Sequence, residues 1–209
     1  MENLLIQIRR DGIISFVWKA SRFILRKSMG LDWKREIIAE RSLGEPIEEI
    51  EPKIKVTIRQ ATENDLDKFK GIVSESKLEL FKERFEKGRI CFIALDGERV
   101  ISFAWISSGN EYESNCRVEV KLNEGEGYLF DDYTLPEYRH NGLQTTLIAK
   151  RLAYLQDQGC RRALVFIWDE NIQSRKAYST VGFEGKRTVT LITLFGLKFH
   201  RWRKFKGSL

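Results

Sequence analysis

Residues Tyr128–Gly142 read YLFDDYTLPEYRHNG, and this stretch decides the fold of the chain. Its first half is rich in aromatic residues and ends at Leu135-Pro136, which predicts a strand that stops there, because proline cannot donate to a ladder. Its second half turns through Arg139–Gly142 and leads into an amphipathic helix. A strand, a tight turn and a helix N-terminus together present backbone N–H groups and the positive end of a helix dipole, which suit a pyrophosphate. The turn is therefore the predicted ligand site.

The same stretch resembles motif A of the GCN5-related N-acetyltransferase (GNAT) superfamily, which reads Arg/Gln-x-x-Gly-x-Gly/Ala. Arg139 and Gly142 match the motif, and Gln144 stands where the family has a small residue. A second segment, Asn171–Phe183, resembles the family's Asn-x-x-Ala-x-x-x-Tyr-x-x-x-Gly-Phe pattern at the expected interval. A single motif of this kind arises by chance in many helix starts, whereas the pair is specific. The chain is identified by this resemblance as a member of the superfamily.

The resemblance implies an α/β (α+β) fold of the GNAT type. Its mixed, mostly antiparallel central sheet is flanked by helices and carries a splayed parallel pair of strands at the cofactor site. The order strand, helix, strand, helix over residues 128–180 predicts a right-handed crossover, which places a ligand beyond the carboxyl ends of the strands. An N-terminal helical extension is expected in addition.

By the same resemblance, the co-substrate is acetyl-CoA, and no metal is expected. Backbone groups at the end of the motif strand would bind the pantetheine arm, and the turn would surround the pyrophosphate. The expected cofactor-binding residues are Tyr133, Thr134, Leu135, Arg139, His140, Asn141, Gly142, Leu143, Gln144, Thr145, Asn171 and Ser174.

Acetyl transfer to an amine needs a neutral nucleophile, stabilisation of an oxyanion and a proton for the departing thiolate. Asn171, Ser174 and Tyr178 share one helical face by their spacing. The family places the tyrosine of this face near the thioester sulphur, so Tyr178 is the predicted acid. The alternative is that this tyrosine only fills the core.

Asp131 and Asp132 are the candidate bases, and their side chains are expected on opposite faces of the strand. Asp132 stands where the family usually has a large apolar residue. A carboxylate buried there needs a partner or a raised pKa. The alternative is a salt-bridged or solvated pair without a catalytic role.

Two parts are predicted along the chain: residues 1–52 form an extension, and residues 53–209 form the acyltransferase domain. Residues 13–28 predict a basic amphipathic helix, which either packs on the domain or on a second subunit, or lies on an anionic membrane. Trp33–Arg41 predicts a short extra strand, and the acidic, proline-containing segment Glu45–Lys53 predicts a linker.

The remaining elements follow from hydrophobic periodicity and turn residues. Strands are predicted at Ile54–Arg59, Ile90–Leu95, Arg99–Ser107, Val118–Val120, Ala163–Trp168, Phe183–Leu194 and Leu197–Trp202. Helices are predicted from Ala61, over Glu75–Lys87, from about Gly142 to Gln158, and over Asn171–Thr180.

The composition bears on which ligands, metal sites and cellular location are expected. The chain has 36 Lys and Arg residues against 30 Asp and Glu, a net charge of +6, which indicates either anionic ligands or only a solvated basic surface. No nucleic-acid motif occurs, so nucleic acid is the least favoured partner. Three cysteines without paired spacing indicate neither a disulfide framework nor a zinc site, and Cys116 in its polar stretch is expected to be exposed. A cytoplasmic location is expected, with membrane association as the alternative.

The expected function is that of an acyl-CoA-dependent N-acyltransferase. It would transfer acetyl to the primary amine of a small molecule or amino-sugar by direct attack through a tetrahedral intermediate. One alternative uses a longer acyl-CoA or an acyl carrier protein near a membrane, which the segment 13–28 would suit. Another is a non-catalytic CoA-binding module, which the departures at Gln144 and Asp132 keep open. A homodimer and peripheral membrane contact through residues 13–28 are further expectations.

Overall fold

The computed structural model describes residues 30–209 and Ser21. The helix predicted at residues 13–28 therefore lies outside the described residues, apart from Ser21. Within the described part of the chain, no helix is both long enough and apolar enough to cross a membrane.

The described residues form ten strands, three α-helices and two short 3₁₀ helices. The strands are β1 (Asp32–Ser42), β2 (Thr57–Gln60), β3 (Ile90–Asp96), β4 (Arg99–Ser107), β5 (Glu111–Glu113), β6 (Val118–Val120), β7 (Glu126–Thr134), β8 (Arg162–Trp168), β9 (Glu184–Leu194) and β10 (Leu197–Lys204). The α-helices are α1 (Glu75–Glu86), α2 (Leu143–Asp157) and α3 (Ile172–Thr180), and the 3₁₀ helices are Glu63–Phe69 and Pro136–Tyr138.

Eight of these strands form one mixed sheet in the order β10-β9-β1-β8-β7-β4-β3-β2. β7 and β8 are parallel, and the other neighbouring strands are antiparallel. β5 and β6 form a separate hairpin. The predicted fold class, a mostly antiparallel sheet with a parallel pair and flanking helices, is confirmed.

β1 lies inside the main sheet, which corrects the predicted extension. It pairs with β8 on one side and with β9 on the other, and its residues Ile37, Ile38 and Ala39 are buried. Successive residues of a strand point to opposite faces, so an apolar run such as Ile37–Ala39 suits a strand covered on both faces. The strand predicted at Trp33–Arg41 is present, but it belongs to the main sheet.

The segment after β1 is also packed, although its composition predicted a linker. Gln156 of α2 donates its side-chain amide to the Leu43 carbonyl at 2.7 Å, and Lys53 N donates to Asn141 O at 2.9 Å. Ile47 and Ile50 pack against the core beneath α2. These two apolar residues hold the otherwise acidic segment Glu45–Lys53 against the core next to α2. The predicted boundary at residue 52 therefore does not separate two packing units.

The β5–β6 hairpin covers one face of the sheet and encloses a carboxylate. Glu36 of β1 is only 2% exposed, and its Oε1 accepts a hydrogen bond from Asn115 Nδ2 at 3.2 Å. Its Oε2 is buried without a hydrogen-bond partner among the described residues. Burial, followed by the nearby Glu113 carboxylate, raises the pKa of Glu36 to about 7. Cys116 is fully buried beside this carboxylate, so the prediction that it is exposed was wrong.

We predict that Glu36→Gln stabilises the protein above neutral pH. Glu36 ionises with an ordinary pKa of 4.5 when unfolded and about 7 when folded. The folded state therefore binds the extra proton, and the free energy of unfolding should fall as pH rises from about 4.5 to 7. The variant should lack this fall and gain roughly 2–3 kcal/mol at pH 8. Urea unfolding across this pH range measures it. Glu119→Gln, an exposed glutamate of the same hairpin, serves as control, and parallel curves for wild type and Glu36→Gln would contradict the prediction.

α2 approaches β7 closely at Gly127. A Cβ atom at this position would lie 2.4 Å from Leu155 Cδ2, which is closer than real Cβ contacts come. Leu155 is fully buried in the core between α2 and the sheet. The missing side chain of Gly127 therefore sets how near the helix lies to the strand that carries the predicted site.

Gly127→Ala should lower the free energy of unfolding by about 1–3 kcal/mol, because an extra methyl group overpacks this contact. Gly44→Ala is the matched control, since its Cβ would meet only Ser42 Oγ at an ordinary 3.6 Å. The control should change stability by less than about 0.5 kcal/mol. Equal effects of the two substitutions in denaturant titrations would show that the β7–α2 contact adapts freely.

Candidate active site

The predicted strand, turn and helix N-terminus are present. β7 ends at Thr134, a 3₁₀ turn follows, and α2 begins directly after Gly142, whose φ of +79° is a backbone conformation that favours glycine. The first intrahelical hydrogen bond runs from Thr146 N to Gly142 O at 3.0 Å. The N–H groups of the three preceding residues, 143–145, have no intrahelical acceptor. These three donors at the helix end give an arrangement that would suit an anion.

The parallel strands part beside this turn. β7 pairs with β8 only from Glu126 to Leu129, whereas its pairing with β4 continues to Thr134. The end of β7, the neighbouring part of β4, the turn and the helices α2 and α3 line a cavity of about 520 Å³. The ligand site expected beyond the carboxyl ends of parallel strands is therefore an actual concavity.

Nine of the predicted cofactor-binding residues line this cavity: Tyr133, Thr134, Arg139, His140, Gly142, Leu143, Gln144, Thr145 and Asn171. Three do not. Leu135 is buried and donates its N–H to Ile101 O at 2.9 Å. Asn141 turns its side-chain amide back to the Tyr138 carbonyl. Ser174 lies behind Gln144, whose Nε2 is 3.4 Å from its hydroxyl.

Asn171 has a structural task as well as a place in the lining. Its Oδ1 accepts the backbone N–H of Ser174 at 3.1 Å and so caps the start of α3. Gln144 likewise faces α3 across the cavity through its contact with Ser174. The long side chain at the position where the family has a small residue thus spans the space between the two helices.

Asp132 belongs to a buried network at the floor of the cavity. Its Oδ1 lies 2.7 Å from Arg151 Nη1, an ion pair without an aligned hydrogen bond, and its Oδ2 accepts the Tyr178 hydroxyl at 2.7 Å. Arg151 is fully buried and also donates to the carbonyls of Leu147 and Trp105. The half-buried carboxylate therefore has the partner that its unusual position requires. Asp132 and Arg151 both line the cavity.

Arg151 was not among the residues predicted from the sequence. It follows Leu147 by one helical turn on the face of α2 that also carries Leu155, so it stands in an apolar face. A lone cation in that face and a lone carboxylate at the usual apolar position of the motif strand are two anomalies of opposite charge. Pairing them across the helix–strand interface would have found the residue.

Tyr178 is placed differently from the predicted acid. It is 1% exposed, it does not line the cavity, and its hydroxyl donates to Asp132. Arg151 Nη2 lies 3.5 Å from the same hydroxyl oxygen. Burial, and next the Asp132 carboxylate, raises the pKa of Tyr178 well above its ordinary value, so it stays protonated at neutral pH. In this structure Tyr178 contacts Asp132 from the core side, outside the cavity lining, and orients its carboxylate.

Asp131 also lies outside the cavity. Its φ of +51° is unusual for a residue other than glycine, and the β4–β7 register shifts at this point. This bulge turns the carboxylate to α1, where Oδ1 is 2.7 Å from Lys77 Nζ and Oδ2 is 2.6 Å from Arg84 Nη1. Of the two candidate bases, Asp132 faces the cavity and Asp131 forms a salt-bridged cluster.

The chain matches a family model described as the acetyltransferase (GNAT) family over residues 58–183. No curated protein matches the chain.

Solved structures of similar fold include three acetyltransferases. Aminoglycoside N-acetyltransferase AAC(6')-Iy in complex with CoA is 24% identical, with a TM-score of 0.52 over 62% of this chain and 88% of that chain. The glucosamine N-acetyltransferase region of a fungal multi-domain β-N-acetylglucosaminidase is 16% identical, with a TM-score of 0.60 over 84% of this chain and 22% of that chain. A GNAT-family protein from Novosphingobium aromaticivorans is 15% identical, with a TM-score of 0.52 over 90% and 80%. At these identities the likeness is one of fold.

We expect Arg151→Met to destabilise the protein by about 3–5 kcal/mol, because it leaves the Asp132 carboxylate buried without its cation. Arg151→Met combined with Asp132→Leu should recover most of that loss, since apolar groups then fill both positions. Lys150→Met, which removes the neighbouring ion pair with Glu49 on the surface of the same helix, should change stability by about 0–1 kcal/mol. Chemical unfolding of these variants and of Asp132→Leu alone measures this cycle, and a double variant whose loss equals the sum of the two single losses would exclude the proposed coupling.

Proposed function

Because this chain belongs to the acetyltransferase (GNAT) family, we propose that it transfers the acetyl group of acetyl-CoA to the primary amine of a small molecule or amino-sugar. One observation carries the proposal. The helix N-terminus of α2, the end of β7 beyond its pairing with β8 and the carboxylate of Asp132 all border the same cavity.

The cavity has the groups that a nucleotide thioester needs. The N–H groups at the start of α2 and the exposed cation of Arg139 would hold a pyrophosphate. The unpaired edge of β7 near Thr134 would receive the amide-bearing arm, because its backbone groups face the gap left by β8. The Tyr133 carbonyl accepts the Ser102 hydroxyl of β4 at 2.7 Å, and the Thr134 carbonyl accepts Arg139 Nε at 3.3 Å, so the arm would have to share or displace the second of these bonds.

Acetyl-CoA supplies an acetyl group that is activated as a thioester. The acceptor nitrogen forms a bond to the acetyl carbon and loses a proton, and the departing sulphur gains one. Asp132 is the carboxylate in the lining and would take the proton from the amine. Its ion pair with Arg151 and its hydrogen bond from Tyr178 hold the carboxylate in a fixed orientation towards the cavity.

The role of Tyr178 differs from that of a free acid in this arrangement. Its hydroxyl proton is directed to Asp132, so Tyr178 would have to release Asp132 before it could protonate the sulphur. A protonated Asp132, formed in the preceding step, lies on the cavity side and could return the proton instead. We therefore propose Asp132 as the acid–base residue and Tyr178 as the residue that positions it.

The acceptor panel for a first test follows from fold neighbours. The names of two structures of similar fold include aminoglycoside and glucosamine N-acetyltransferase. Aminoglycosides and glucosamine are therefore the first amines to offer with acetyl-CoA. Amino acids and simple alkylamines complete the panel, since side chains in an acceptor pocket vary freely within one fold.

Calorimetric titration with acetyl-CoA tests the cofactor site. Gly142→Trp should abolish binding, because a side chain at φ +79° is strained and its Cβ would lie 3.8 Å from Pro52 Cα, so the turn at the helix N-terminus would have to shift. Gly159→Trp is a matched control, since this glycine has a similar φ of +76°, lies just beyond the other end of α2 and is outside the cavity lining. Loss of binding in both variants would point to unfolding, which thermal denaturation checks. A wild-type protein that binds neither acetyl-CoA nor CoA would contradict the proposal.

Measurements of kcat distinguish the proposed roles of Asp132 and Asp131. Asp132→Asn should lower kcat by about 10²–10⁴-fold and leave acetyl-CoA affinity unchanged, as expected for a lost proton acceptor. Asp131→Asn is the control from the adjacent position and should change kcat far less, because Asp131 is held by Lys77 and Arg84 outside the cavity. Binding of acetyl-CoA without turnover of any amine would favour the non-catalytic CoA-binding module.

A further inference from the structure

Three strands project past the end of the sheet at which the cavity lies. β1 and β8 pair only as far as Glu36 and Trp168, the last residue of β8. β9 continues from Thr190 to Leu194, roughly 17 Å at about 3.3 Å per residue. Along this length it pairs only with the start of β1 and with β10. We call this projection the overhang; it comprises residues 32–35, 190–194 and 197–201 and the turn Phe195-Gly196.

One face of the overhang is supported by the rest of the fold. Leu191 packs with Cys116 and Val118 of the β5–β6 hairpin in one buried cluster. His200 Nε2 lies 2.7 Å from the Cys116 carbonyl oxygen. These contacts hold the projecting strands against the hairpin, so the opposite face has a fixed shape.

The opposite face and the turn present large apolar side chains to solvent. Phe195 is 75% exposed, Leu197 is 64% exposed and Phe199 is 53% exposed. Leu197 and Phe199 point to the same face, since they are two residues apart in one strand. Ile192 lies directly opposite Phe199 in the β9–β10 pairing. Contiguous exposed apolar side chains of this kind mark interaction sites.

The backbone at Phe195 is strained. Its φ is +48°, and Gly196 follows with φ +81°, so the two residues form a hairpin turn with positive φ at both positions. Such turns favour Asn, Asp or Gly at the first position. A bulky aromatic residue there costs about 1–2 kcal/mol, and the exposed ring of Phe195 gains little packing in return. Strain maintained at an exposed position indicates a function for the side chain.

Positive charge lies directly behind the apolar tip. The sequence from Leu194 to Leu209 contains five Lys and Arg residues and no Asp or Glu. On the face that carries Leu197 and Phe199, the next two side chains of β10 are Arg201 and Arg203, both exposed. The order along the strand, from the tip inwards, is therefore apolar and then cationic.

We propose that the overhang docks on the surface of an anionic lipid bilayer. Phe195, Leu197 and Phe199 would enter the interface between headgroups and acyl chains, and Arg201 and Arg203 would lie at the level of the lipid phosphates. An apolar tip followed by cations matches this layered partner. A surface that binds nucleic acid or an acidic protein would instead be expected to carry its cations at the tip.

The position of the overhang supports the same partner. The described chain enters at Gly30, where an added Cβ would lie 3.4 Å from Phe195 N. Gly30, where the continuous described range begins, therefore lies beside the tip. The cavity lies at the same end of the sheet, so docking through the overhang would bring the cavity towards the lipid surface.

Co-sedimentation of the full chain with vesicles tests the proposal. Vesicles of phosphatidylcholine mixed with phosphatidylglycerol should bind the protein, and vesicles of phosphatidylcholine alone should bind it more weakly. The triple variant Phe195→Asn/Leu197→Thr/Phe199→Thr should bind the anionic vesicles about tenfold less tightly or worse, because the inserted apolar area is lost. Asn suits positive φ, so this variant should fold. Tyr112→Ser, which removes an aromatic side chain that is 62% exposed on β5, is the matched control and should bind like wild type.

A charge variant completes the design. Arg201→Gln/Arg203→Gln should weaken binding to the anionic vesicles by about fivefold per lost cation and should leave the weak binding to phosphatidylcholine unchanged.

Three results would overturn the proposal. The first is no binding of wild type to anionic vesicles. The second is unchanged binding of the triple variant, which would place the membrane contact elsewhere in the chain. The third is unchanged vesicle binding by the triple variant together with one of two further observations. Either the triple variant is a monomer in sedimentation experiments in which wild type is a dimer, or the triple variant binds RNA like wild type and only the charge variant loses that binding. That result would assign the surface to a second copy of the chain or to nucleic acid.

Discussion

The parting of β7 from β8 after Leu129 is the constraint on which the rest of the site depends. The bulge at Asp131 separates the two acidic side chains of the motif strand, so that Asp131 reaches α1 and Asp132 reaches α2 and α3. Simple alternation would also set them on opposite faces, and the bulge in the β4–β7 pairing adds the turn of Asp131 towards α1. The end of the β7–β8 pairing leaves the edge of β7 free, and contacts with α2 and α3 orient the only carboxylate that lines the cavity among the described residues.

In the Asp132–Arg151–Tyr178 network, the contacts that offset the cost of burying these polar groups also fix their relative positions. Each member alone would be costly to bury, since a charge or hydroxyl without a partner loses its hydration. Together they satisfy one another, and Arg151 also reaches two backbone carbonyls, at Leu147 and Trp105. The network joins the first helix after the turn, the motif strand and the helix of the second motif. It therefore connects the first motif segment, Tyr128–Gly142, with the second, Asn171–Phe183, through an ion pair and a hydrogen bond.

Much of the fold and the location of the site could be predicted from the sequence. The motif turn, α2, β8 and α3 follow from local pattern, because a Gly at positive φ and helical periodicity are local properties. The central place of β1 could not be predicted, since an isolated apolar strand does not reveal its partners. The packing of Ile47 and Ile50 was hidden by the acidic composition around them, and Arg151 required a contact between distant segments. The buried hydroxyl of Tyr178 depends on the same long-range pairing.

The central place of β1 has a consequence for how the chain acquires its structure. Ile38 pairs with Phe166 on one side and with Arg187 on the other, so the earliest strand of the sheet finds its neighbours only among the last to be synthesised. Such long loops close slowly, because chain entropy is lost before the contacts form. Until then, the apolar run Ile37–Ala39 stays uncovered on the nascent chain. This part of the sheet can therefore form only after β8 and β9 have been synthesised.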